Sequence, residues 1–159
     1  MGLKPKNTPK CSYETDQIVI FPTIHATTGA TVSNGRVLLD AVNESCAFYF
    51  YIEDKIAPDR PLTITFVYMR ADAGADTIDI TQYGHRFPCD GTTGVTVIWN
   101  YVADTLPAST INRYETKEWT LPTAVADNHY TFAIYMNEAA KQIYVHCVAV
   151  RYFKKRTLP

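Results

Sequence analysis

The chain is poor in the residues from which the common enzyme motifs are built. Seven glycines in 159 residues leave little material for phosphate-cradling or dinucleotide-binding loops, and no P-loop, Rossmann glycine pattern, nucleophile elbow or HExxH stretch is present. The four cysteines, Cys11, Cys46, Cys89 and Cys147, are widely spaced without a CxxC pair. That argues against a zinc ribbon or a dithiol redox motif and reads as free, partly buried thiols. His25, His85, His129 and His146 are equally isolated, so no spacing sets two imidazoles beside one metal ion. No metal and no cofactor is expected. A run of about 18 apolar residues, the minimum for a membrane-crossing helix, is missing, and the first residues lack the apolar stretch of a signal peptide. A reducing compartment is the simpler expectation. A formal charge of −1 removes the long-range attraction toward nucleic acid or an anionic membrane, and neither is expected as a partner.

What is abundant is strand-forming. Thr, Val, Ile and Tyr number 20, 12, 12 and 11, against seven leucines, a composition that suits pleated, half-buried surfaces. From Asp16 onward apolar residues recur with period two. Cys46, Phe48, Phe50 and Ile52 alternate with Ala47, Tyr49, Tyr51 and Glu53; Leu62, Ile64, Phe66 and Tyr68 alternate with Thr63, Thr65, Val67 and Met69. Ile78 and Ile80, Val95, Val97 and Trp99, and Tyr130, Phe132, Ile134 and Met136 continue the pattern, each set predicted to share one face. Gln142–Phe153 is apolar on both faces, as expected of a central strand or one covered by a partner. Shorter strands are expected at Gln17–Pro22, Arg36–Ala41 and Lys117–Leu121. Turn residues punctuate these runs at Ser33-Asn34-Gly35, Ala57–Pro61, Asp72–Asp76 and Cys89-Asp90-Gly91, and Asn137–Gln142 is too short for a stable helix. The fold expected is an all-β, antiparallel sandwich of about eight or nine strands, with longer crossover connections after Tyr83 and Tyr101. Residues 1–15 form an extended basic arm, 16–153 one domain and 154–159 a short basic tail.

Candidate sites are few. The arm carries Lys4, Lys6 and Lys10, and the tail Lys154, Lys155 and Arg156; the arm reads as a segment that orders on a neighbouring subunit. Tyr83, Trp99, Tyr101, Tyr114 and Trp119 gather near the ends of expected strands. Flat rings there can stack on sugars or anchor a subunit interface, and core filling is the plainer reading of the tryptophans. His85 lies in an aromatic and basic loop, Tyr83–Pro88. His146, on the last strand, reads as a hydrogen-bonded structural histidine. Asp72, Asp76 and Asp79 have the carboxylate density of a calcium loop, although solvated loop charges are the simpler account. Glu115 and Glu118 beside Trp119 are surface groups unless they face each other as a glycosidase pair does.

The aromatic strand Phe48-Tyr49-Phe50-Tyr51-Ile52 running into Ile56-Ala57-Pro58-Asp59, the alternating run Leu62–Met69 and the closing strand Tyr144–Phe153 are together similar to the jelly-roll domains of bacteriophage and other viral structural proteins. The resemblance implies a non-enzymatic virion component, made in the host cytoplasm, that decorates a capsid or belongs to a spike or fibre. It implies a homo-oligomer, often a trimer, attached to other capsid proteins through a terminal arm. Some members of that group bind glycan receptors, and a carbohydrate-binding module or glycan-receptor domain is the alternative reading.

Overall fold

A computed structural model describes residues 13–24, 29–52, 57, 60–72, 76–90, 94–121, 125 and 128–155. Their regular elements are all strands: β1 (Tyr13–Ile20), β2 (Thr23–Ile24), β3 (Thr31–Ser33), β4 (Arg36–Leu39), β5 (Ser45–Ile52), β6 (Leu62–Arg70), β7 (Ile78–Pro88), β8 (Thr96–Leu106), β9 (Tyr114–Leu121), β10 (Asn128–Met136) and β11 (Ile143–Lys155). A six-stranded sheet runs β3-β4-β11-β6-β9, with β1 also on β11, and a five-stranded sheet runs β2-β5-β10-β7-β8. All pairings are antiparallel. The two sheets make a β-sandwich of jelly-roll type, as expected.

Period-two alternation explains how the layers close. Cys46, Phe48, Ile52, Leu62, Ile64, Phe66, Ile78, Ile80, Phe132 and Ile134 are all buried between the sheets, so each strand presents one apolar face inward. The long apolar run near the end of the chain is indeed central. One side of β11 is lined by β6 and the other is shared by β4 and β1, leaving it no exposed edge. Ser33-Asn34-Gly35-Arg36 closes the β3–β4 hairpin with both central residues at positive φ, 51° and 73°. The right-handed twist of paired strands favours that turn, and Asn-Gly accepts it readily. Asn137–Gln142 is a turn, as expected.

Several expectations need correction. Tyr83–Pro88 is not a loop, and Tyr83 and Tyr101 do not precede crossover connections: β7 and β8 run through them. Sequence punctuation could not show this, because Gly84 sits inside a strand rather than ending one. Tyr13, Glu14 and Thr15 are already paired with β11, and Lys154 lies within that strand, where it forms an ion pair with Asp16. Lys4, Lys6, Lys10 and Arg156 lie outside the described residues.

Asp72 and Asp76 are more than solvated loop charges: both pair with a cation, Asp72 largely covered and Asp76 still exposed. Arg70, wholly buried, donates from Nε and Nη2 to Asp72 at 2.9 and 2.8 Å and from Nη2 to Asp76 at 2.9 Å, while Lys141 pairs with Asp76. The carboxylates thus tie the turn after β6 to a guanidinium inside the sandwich. Asp79 stands apart, lining a cavity of about 270 Å³ with Asp104 and Asn137. Among the described residues, no group of three or more acidic, His or Cys side chains converges as a metal site. Removing one member of a buried ion pair leaves charge without a partner, so Arg70→Ala should lower the unfolding free energy by about 3 kcal/mol in urea titration.

Hydrogen bonds from Lys141 first and Arg70 second pull the Asp76 carboxyl from 3.8 down to about 2. An acid with a lowered folded-state pKa binds protons more readily when unfolded, so its contribution is present above the unfolded value and lost as pH falls through the folded one. Stability should therefore decline between pH 4 and pH 2, and Asp76→Asn should flatten that limb in urea titrations at successive pH values.

Candidate functional site

The outward face of the five-stranded sheet carries a connected set of rings. Inward residues of β5, β7 and β10 have even numbers, so their odd-numbered neighbours point out. The rings succeed one another by contact. Tyr51 tilts on His129 at 5.2 Å, and His129 stacks on Phe87 at 5.3 Å. Phe87 meets His85 at 6.0 Å and His85 meets Tyr83 at 5.6 Å. Tyr83 stacks on Tyr101 at 4.8 Å, and Tyr101 tilts on Tyr135 at 5.8 Å. Tyr49 stands on the same face, 55% exposed. Ala47, Thr131 and Ala133 fill the register positions between these rings and are buried; their short side chains make the floor. With strands about 4.8 Å apart and residues about 3.3 Å apart, the platform covers roughly 14 Å across β5–β8 and roughly 13 Å along β7.

Tyr101 reaches this face through an irregularity. Tyr83 on β7 stands opposite two residues of β8, because Gln82 pairs with Val102 and Gly84 with Trp99; a second shift follows, His85 pairing with Val97. Tyr101 itself adopts φ of 51°, uncommon for a bulky L-residue. Such bulges re-aim side chains, and here they point Trp99 inward while Val97 and Tyr101 point out. The expected common face of Val97 and Trp99 is thereby overturned: Val97 is 51% exposed, whereas Trp99 packs edge-on against Phe132 at 5.3 Å. A strict period of two has no means of signalling an inserted residue.

The aromatics expected to act together therefore separate into three places. Tyr83 and Tyr101 belong to the platform. Tyr114 lies on the outer face of the opposite sheet, beside His146 at 5.3 Å. Trp119 is a core residue, 9% exposed and tilted on Phe132 at 5.2 Å, so it cannot serve as a surface anchor. Its indole N–H donates to Asp104 at 2.6 Å; Lys117 at 3.0 Å and the Gln82 amide at 2.7 Å donate to the same carboxylate. Burial pushes the Asp104 carboxyl up, but hydrogen bonds from Trp119, the Thr105 N–H and Lys117 outweigh it and hold the group below the usual carboxylate range. Trp99 occupies the side of the sandwich, with its ring over Gly84.

Glu115 and Glu118 do not form a catalytic pair. Three residues apart on a strand they face opposite ways, and each has its own cation, Arg113 at 3.5 Å and Arg151 at 3.3 Å. Contrary to expectation, Nδ1 of His146 is buried without a hydrogen-bond partner, and so is Nδ1 of His85. Cys46 and Cys147 are buried free thiols, and Cys89 is exposed. Among the platform residues, His129, Phe87, Tyr51 and Tyr135 were not singled out from sequence. Their signal was the alternation itself, since they hold the outward positions of strands whose inward set was legible.

No family model and no curated protein matches the chain. Solved structures share its fold. At a TM-score of 0.52 and 12% identity, 90% of the chain superposes on latent dimeric PorU of Porphyromonas gingivalis, of which it spans only 13%. At the same TM-score and 10% identity, 91% superposes on the whole of CBM35 from Cellvibrio japonicus Abf62. A family 35 carbohydrate-binding module from Clostridium thermocellum is similar more weakly, at a TM-score of 0.49 and 10% identity over 87% of this chain and 97% of that one. Neither PorU nor the Cellvibrio module is a virion protein. The likeness therefore supports the jelly-roll architecture and lends nothing to the viral part of the sequence resemblance.

Gly84 is required by the seat of Trp99. A Cβ there would lie 2.6 Å from Cε3 of the indole and 3.4 Å from the Thr131 carbonyl oxygen. Gly84→Ala should displace the indole, cost about 1–3 kcal/mol in urea titration, and alter the near-ultraviolet circular dichroism of the tryptophans.

Proposed function

We propose that the chain is a non-catalytic carbohydrate-binding module whose binding face is the aromatic platform of the five-stranded sheet. The observation that carries this reading is the unbroken ring succession from Tyr51 through His129, Phe87, His85 and Tyr83 to Tyr101 and Tyr135. Rings on an open sheet face offer apolar surface to the C–H faces of sugars, and their hydroxyl and imidazole groups meet sugar hydroxyls at the margins. The strained backbone of Tyr101, maintained where its ring stacks on Tyr83, is the kind of local cost that functional surfaces retain. The sandwich shared with the Cellvibrio module supports the reading as architecture alone.

A glycan array followed by calorimetry on the best ligand tests it. With each ring contributing about 0.5–1.5 kcal/mol, the double substitution Tyr83→Ala/Tyr101→Ala should weaken binding about tenfold or more, while Tyr114→Ala on the opposite sheet leaves it unchanged. Absence of binding to any glycan, or equal affinity in the double variant, overturns the reading. Self-association, implied by the sequence resemblance, is a separate proposal that the exposed Val97 and Val102 along β8, with Val95 just before it, support; a monomer at all concentrations in sedimentation velocity removes it.

A further inference from the structure

A second cavity opens at the side of the sandwich, where β7 and β8 of one sheet meet β9 of the other. Arg86, Thr96, Val97, Ile98 and Trp99 line it from one side, and Thr120 from the other, around about 250 Å³. Its aromatic wall is set before any ligand arrives: the Trp99 indole lies over Gly84 and is braced edge-on by Phe132 at 5.3 Å. The Tyr130 phenol, close to Arg86, is held by the backbone of Val125.

Among the described residues, the charge of Arg86 has no carboxylate counterpart. Arg70, Arg113, Arg151, Lys117, Lys141 and Lys154 each pair with a carboxylate, whereas among the described residues none pairs with Arg86. Arg36 and Arg60 lie over the rings of Tyr144 and Tyr13 instead; Arg86 differs from both in lining a cavity. A guanidinium keeps its charge at any physiological pH and presents a planar fork of donors suited to paired oxygens. Beside an apolar wall, an oxyanion would complete its bonding at little cost.

We propose that this cavity is a binding site for an oxyanion, a carboxylate or a sulfate ester, carried on a single sugar ring. Arg86 holds two of the anion's oxygens, Trp99 forms the wall against which the ring lies, and the Thr96 and Thr120 hydroxyls meet its hydroxyl groups at the rim. The volume lies just below the roughly 300–1,000 Å³ of pockets that hold drug-sized ligands, which limits the occupant to about one ring. The choice of a sugar rests on the glycan-binding reading; the anion requirement rests on Arg86 alone.

The chain's two tryptophans give two indole N–H signals to follow by nuclear magnetic resonance. Glucuronate, glucose 6-sulfate and glucose are titrated separately into the wild-type protein. One or both charged sugars should shift the Trp99 indole while leaving that of Trp119 in place, and glucose should shift neither. Which charged sugar acts identifies the oxyanion. Arg86→Gln, checked for retained spectral dispersion, should weaken the response about tenfold or more, and Tyr83→Ala/Tyr101→Ala should preserve it. No shift with either charged sugar, an equal shift with glucose, or an unchanged response in Arg86→Gln overturns the proposal. Loss of glycan affinity at the platform with this response intact defeats only the platform reading, and the converse result defeats only this one.

Discussion

Phe132 of β10 is the ring on which the two sheets meet. It stacks on Phe48 from the neighbouring strand at 6.1 Å and receives Trp99 at 5.3 Å and Trp119, from the facing sheet, at 5.2 Å. Because strand side chains alternate, fixing Phe132 inward sends Thr131 and Ala133 outward, and β10 transmits that phase to β5 and β7 through continuous pairing. A slip of one residue would bury the platform tyrosines and expose the core phenylalanines. The binding face is thus the necessary reverse of the core, and its ring positions follow from the packing beneath it.

The edge strand β8 is where this order is deliberately broken. Two register shifts against β7 let a single strand send Trp99 into the seam between the sheets and Tyr101 onto the outer face. The first lines a cavity with Arg86, whose guanidinium has no carboxylate partner among the described residues; the second extends the ring succession toward Tyr135. Gly84 permits the first by leaving room for the indole, and the positive φ of Tyr101 accompanies the second. Both candidate surfaces depend on the same few residues of backbone irregularity, which also shorten the regular run of hydrogen-bonding positions on an exposed sheet edge.

Much of the fold was legible from the pattern of residues. The inward sets of β5, β6, β7 and β10, the central place of β11 and the Asn-Gly hairpin each follow from period and turn chemistry, because those signals are local. Less of the site was legible. Tyr83 and Tyr101 stood out as aromatics, but grouping them with Tyr114 and Trp119 presumed proximity from composition. Tyr114 proved to lie on the other sheet and Trp119 in the core, and the pairing of Asp72 and Asp76 with Arg70 likewise joins groups whose purpose is invisible until the turn closes on the buried guanidinium.

Composition and alternation by themselves determined an all-β sandwich, because strand propensity and one-sided burial are properties of neighbouring residues. Only the tertiary structure decided which rings touch, which arginine lines a cavity and which tryptophan lies in the core. Those depend on strand order and on single-residue register shifts between segments distant in the chain, and a period of two read along one strand holds no information about its neighbours.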